Sequence, residues 1–107
     1  MNPDPALLDE LVRRTVEAVN PRRVILFGSA ARGTMGPDSD LDLLVVMPDS
    51  ADCRAVSRQL YRRLRGLNQA KDIVVVRQSD LDRHGADPYL VYQAALAEGK
   101  ELYHAAS

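Results

Sequence analysis

Behind Asp4-Pro5, the apolar positions Leu8, Leu11, Val12, Val16 and Val19 recur at helical spacing and stop at Asn20-Pro21. This predicts an amphipathic helix over residues 5–19, opened by an aspartate cap and a first-turn proline. The period then changes. Arg22 to Phe27 is a short β-rich run ending at Gly28, and Asp40 to Val46 is a second, closed by Pro48; both read as buried strands. Residues 28–39 between them hold three of the six glycines with Ser29, Arg32, Pro37 and Asp38, a composition for turns and at most one helical turn. Asp49 or Ser50 can cap a helix over 51–67, with Cys53, Val56, Leu60, Leu64 and Leu67 as its apolar stripe and Gly66 to Asn68 closing it. Lys71 to Val76 forms a third strand. A short helical stretch starts at Ser79 or Asp80 and breaks near Gly85 and Pro88, Tyr89 to Glu98 predicts a last helix before Gly99, and Leu102-Tyr103 adds a short edge strand. The order α, β, loop, β, α, β, α, α, β predicts an α/β (α+β) fold, a small mixed sheet flanked by helices.

Strand alternation gives this pattern a chemical content. In Asp40-Leu41-Asp42-Leu43 the two carboxylates share one face and the leucines the other, with Cα atoms about 6.5 Å apart. Aspartate is depleted in strands, and two like charges on one face repel unless a cation joins them. Asp72 heads the apolar run Ile73-Val74-Val75-Val76, so if the two strands are neighbours it supplies a third oxygen ligand. Carboxylate-only donors suit Mg²⁺ or Mn²⁺. Upstream, Gly28-Ser29 leaves a strand through a glycine; this is either an ordinary strand-to-helix turn or a place where backbone N–H groups, the Ser29 hydroxyl and Arg32 meet a polyphosphate. No Gly-Lys-Ser/Thr follows, so it is not a Walker A loop.

Composition narrows the classes. A length of 107 residues with 46% hydrophobic and 27% charged side chains fits one domain spanning 1–107. A formal net charge of -1 supplies no global attraction to nucleic acid or anionic lipid, so direct nucleic-acid binding is not expected and any such surface must be local. The N-terminus lacks a basic and apolar leader pattern, and no apolar run is long enough for a membrane span, so a cytoplasmic location is expected. Cys53 stands alone, which allows no internal disulfide or cysteine-based zinc site.

Gly28-Ser29, ten intervening residues and then Asp40-Leu41-Asp42, with Arg32-Gly33 and Ser39 inside, resembles the nucleotidyltransferase superfamily related to DNA polymerase β. The likeness is greatest to the minimal nucleotidyltransferase domains of prokaryotes. It extends from the leading helix to the terminal Ala-Leu-Ala-Glu-Gly-Lys-Glu-Leu-Tyr. The resemblance implies that Asp40 and Asp42 bind two Mg²⁺ ions, with Mn²⁺ as an alternative. It further implies that Asp72 completes the site and assists deprotonation of an acceptor hydroxyl. Gly28 and Ser29 would hold the triphosphate of ATP, with Arg32 and Ser39 as further contacts. Domains of this kind commonly accompany a small HEPN-domain ribonuclease toxin. They act as its antitoxin by transferring AMP to a tyrosine, in the manner of a type VII toxin–antitoxin pair, so a hetero-oligomer with such a protein is the expected assembly. The alternatives are an antitoxin that binds without catalysis and a transferase acting on a small molecule such as an aminoglycoside.

Other residues stay open between plain and functional readings. Arg54, Arg58, Arg62 and Arg65, with Arg63, form a basic stripe that reads as a solvated face, a dock for an acidic partner or a contact for RNA phosphates. Cys53 reads as core, and His84 and His104 as surface residues without partners. Tyr89, Tyr92 and Tyr103 read as core or interface anchors. Leu90, Val91, Ala94 and Ala95 make the last helix either deeply buried or part of a partner surface.

Overall fold

The computed structural model describes residues 3–34, 36, 40–67, 69–84 and 97–105. Helix α1 spans Pro5–Val19: the Asp4 carboxylate accepts the Ala6 N–H at 3.0 Å, and Asn20 closes the helix in the left-handed region at φ 49°. Its inward stripe buries Leu11 and Thr15, and the Thr15 hydroxyl is satisfied by donating to the Leu11 carbonyl at 2.8 Å. Strand β1 (Arg23–Phe27) leads into the single helical turn α2 (Gly28–Arg32), then β2 (Leu41–Met47), α3 (Cys53–Arg63), β3 (Lys71–Arg77), α4 (Gln78–His84) and β4 (Lys100–His104).

The sheet order is β3-β2-β1-β4, with β1 antiparallel to both β2 and β4 and β2 parallel to β3. A parallel pair needs a crossover, and α3 is that crossover. One sheet face carries Leu26, Leu41, Leu43, Val45 and Ile73 against Leu11 of α1 and Leu60 of α3. The other carries Ile25, Phe27, Leu44, Val46 and Val76 against Leu81 of α4. Covering on both faces explains why β2 reads as the almost unbroken apolar run Leu-Leu-Val-Val-Met rather than an alternation. The same topology gathers the C-terminal end of β1 and the N-terminal ends of β2 and β3 at one edge.

Several expected boundaries move for identifiable reasons. The α3 cap is Asp52, whose carboxylate accepts the N–H groups of Arg54 and Ala55, not Asp49 or Ser50. Asp49 instead accepts the Ser79 N–H at 3.0 Å, tying the loop after β2 to the start of α4. The helix stops at Arg63, with Leu64 as its C-cap and Gly66 in the left-handed region at φ 84°. Strand β4 runs over five residues, and a register shift opposite Val24 and Ile25 lets consecutive Leu102 and Tyr103 both pack against the core. His104 is not partnerless: its Nδ1 lies 2.8 Å from Glu101 Oε1. Of the expected helix over 89–98 only Ala97 and Glu98 are described, and both are helical; the remainder, with Tyr89 and Tyr92, lies outside the described residues, as does the His84 side chain. Among the described residues no helix is long and apolar enough to cross a membrane.

Candidate active site

The edge where β1, β2 and β3 meet brings Gly28, Asp42 and Asp72 together. Asp42 is the second residue of β2 and stands in register with Asp72 of β3 on one side and Phe27 of β1 on the other. Parallel register puts Asp42 and Asp72 on the same sheet face, on strands about 4.8 Å apart. Asp40 lies just before the strand, which begins at Leu41, and its influence still reaches Asp42.

Gly28 is the tightest element of the arrangement. It follows Phe27 directly, has φ 71°, and lies so close to Asp42 that a Cβ would overlap Oδ2 outright and stand 3.2 Å from Cγ. A side chain is therefore excluded twice, by backbone conformation and by the carboxylate occupying its place. Ser29 follows in α2, half-buried, and Gly33 ends that turn at φ 74°.

Burial pushes the Asp42 carboxyl above its ordinary value, Asp72 and Asp40 push it further, and among the described residues only Arg32 opposes them. Arg32 is otherwise engaged with Glu98 across 3.5 Å, both side chains being largely exposed. Among the described residues none of the three carboxylates makes a hydrogen bond or ion pair. Clustered, unpaired acids on a half-buried edge are unfavourable by themselves and are a hard-oxygen donor set for a divalent cation. No three acidic, thiol or imidazole groups among the described residues already close on one point, so engaging a cation requires side-chain rotation. Ser39 lies outside the described residues.

One contributor escaped the sequence reading. The Tyr61 hydroxyl of α3 accepts the Ile73 N–H at 3.0 Å, immediately after Asp72. β3 is the outer strand, so this N–H points away from β2 and has no ladder partner; Tyr61 supplies one. Its signal was an aromatic residue on the polar side of an amphipathic helix. Cys53, expected in the core, is half-buried at the start of α3 and belongs to neither core cluster; burial pushes its thiol up. A cavity of about 480 Å³ opens at the opposite end of the sheet, between Arg22, Arg23, Asp49 and His104, and includes none of the three aspartates.

A mixed four-stranded sheet that sets Gly28-Ser29 against Asp42 and Asp72 is the arrangement that the resemblance to nucleotidyltransferases implies. The family profile for the nucleotidyltransferase domain matches residues 8–85, and the chain belongs to that family. No curated protein matches. Among solved structures, a candidate nucleotidyltransferase from Sulfolobus solfataricus is 27% identical with a TM-score of 0.57, covering 73% of this chain and 70% of that one. A toxin–antitoxin structure with AMP-PNP is 20% identical with a TM-score of 0.60, covering 92% of this chain and 73% of that one. A complex of tri-AMPylated Shewanella oneidensis HEPN toxin with MNT antitoxin is 16% identical with a TM-score of 0.55, covering 94% and 71%. The last two likenesses establish the shared fold.

Proposed function

We propose that residues 1–107 form one minimal nucleotidyltransferase domain that transfers AMP from ATP to a hydroxyl group, a tyrosine on a HEPN-type toxin, and so acts as its antitoxin. The observation that carries this reading is Gly28 pressed against Asp42 with Asp72 in register beside it. It is supported by the likeness in fold to complexes that contain AMP-PNP or an AMPylated HEPN toxin.

In the reaction the acceptor oxygen attacks the α-phosphorus of ATP in line, the bond from that phosphorus to the bridging oxygen breaks, and pyrophosphate leaves. Asp40, Asp42 and Asp72 would hold Mg²⁺, which when bound neutralises charge on the phosphates and on the attacking and leaving oxygens. Gly28 lets the triphosphate approach the backbone, Ser29 offers a hydroxyl donor, and Arg32, once released from Glu98, offers a delocalised cation. Asp72, exposed and in register beside Asp42, would take the acceptor proton. Asp40 and Asp72 are exposed, as an acceptor presented by another protein requires.

The test is incubation with Mg²⁺, α-labelled ATP and a HEPN-domain protein encoded beside this chain, with an Asp40→Asn/Asp42→Asn double variant as control. Label on the partner with the intact chain alone is the expected result. A stable complex without label would overturn catalysis in favour of inhibition by contact. Labelling of small hydroxyl compounds, with no complex, would overturn the antitoxin reading.

A further inference from the structure

Two ion pairs join the chain around β4 to the segment of β1 and α2, and they are built differently. Arg23 donates to the Glu101 carboxylate twice, at 2.8 and 3.2 Å, with side chains 25% and 36% exposed. Arg32 meets Glu98 once, at 3.5 Å, with side chains 52% and 57% exposed, and among the described residues neither makes another hydrogen bond or ion pair. An exposed pair of this second kind adds little to stability and is readily exchanged for a better partner. Glu98 reaches Arg32 through the strand pairing. Leu26 stands opposite Lys100, which brings the residues just before β4 to the end of β1 from which α2 starts.

Arg32 ends the turn that Gly28 begins, and it is the one cation among the described residues whose charge acts on Asp42. Its guanidinium therefore borders the carboxylate edge. A triphosphate arriving at Gly28-Ser29 meets this guanidinium already neutralised by a carboxylate, and has to displace that carboxylate to use it. Phosphate is the stronger partner, since it can accept two parallel charge-assisted hydrogen bonds from an arginine, where Glu98 accepts a single long one. The exchange goes forward, but part of the gain is spent in separating Arg32 from Glu98. We infer that Glu98 competes with the triphosphate for Arg32 and thereby sets the affinity of the site for its nucleotide. This rests on the reading of the edge as a nucleotide site and adds to it a residue that limits binding rather than promoting it.

The experiment is isothermal titration calorimetry of the full chain with α,β-methylene-ATP, which cannot transfer AMP, and Mg²⁺ at about 50 mM salt, where exposed charges are only partly screened. Glu98→Gln, which keeps the shape and removes the charge, should bind up to about five-fold more tightly, the size of an exposed ion pair. A merely structural role could not raise affinity. Arg32→Gln should bind more weakly than the parent, and in that background Glu98→Gln should change affinity by less than about two-fold, because no guanidinium remains to compete for. Glu101→Gln, which removes the same charge from β4 and leaves the Arg32–Glu98 pair in place, should match the parent. Circular-dichroism melts check that each variant is folded. Binding by the parent that Glu98→Gln leaves unchanged or weakens would overturn this inference and leave the nucleotide reading standing. A gain of equal size in the Arg32→Gln background would also overturn it, by making Glu98 a repulsive charge and not a competitor. No binding by the parent or by Glu98→Gln would overturn the nucleotide reading and this inference together.

Discussion

At the scale of single residues, Gly28 and Asp42 are two halves of one contact. A methyl group at position 28 meets the carboxylate and forces φ 71° on a residue with a Cβ. Gly28→Ala is expected to destabilise the fold by about 1–2 kcal/mol, and displacement of Asp42 by about 1 Å to lower turnover about 100-fold. Single-turnover AMP transfer measured well below the melting temperature separates the two effects. Asp42→Asn is expected to abolish turnover while raising metal-free stability. Its carboxyl is disfavoured as an anion by burial, Asp72 and Asp40, so the folded state holds the proton more tightly than the unfolded chain. Asp42 therefore lowers stability as pH rises from the ordinary carboxylate range through its raised folded value, and Asn removes that loss. Melts without metal at about pH 4 and pH 7 should show the gain at the higher pH, by a few degrees. A variant less stable than the parent at pH 7 would contradict the electrostatic account.

At the scale of elements, the sequence displayed helices and strands wherever one period ran long enough. The stripe of α1 and the apolar runs of β1, β2 and β3 were legible because burial dictates them. Capping was legible only within a helix's own neighbourhood: Asp4 reads correctly, whereas Asp49 serves α4 across the fold, a pairing that no local pattern encodes. Edge strand β4 was underestimated because Lys100, Glu101 and His104 face solvent, and its pairing to β1 depends on a bulge. Tyr61 belongs to this class. Its hydroxyl links α3 to the outer strand next to Asp72, a contact across twelve residues of chain. Tyr61→Phe leaves the Ile73 N–H without that acceptor, which should cost about 1 kcal/mol. We expect turnover to fall several-fold with little change in KM for ATP, because Asp72 is loosened while the Gly28-Ser29 turn is untouched. An unchanged rate at temperatures well below the melt would make Tyr61 structural only.

At the scale of the molecule, the candidate site was legible as residue types and spacing, and the fold added what spacing cannot give. Asp40 and Asp42 are neighbours in sequence, but Asp72 joins them only because β2 and β3 are parallel and in register. The result is an edge with three acids and, as the one opposing cation among the described residues, an arginine engaged elsewhere. Such an edge stores repulsion that a divalent cation relieves, and a ligand selective for the folded state stabilises it by mass action. Mg²⁺ at about 100 times its dissociation constant should contribute about 2.7 kcal/mol, a rise in Tm of about 10 °C or more for a chain of this size. EDTA should reverse the rise, and Asp42→Asn should remove most of it. A shift that persists in Asp42→Asn would place the cation away from this edge and take the carboxylates out of the role assigned to them.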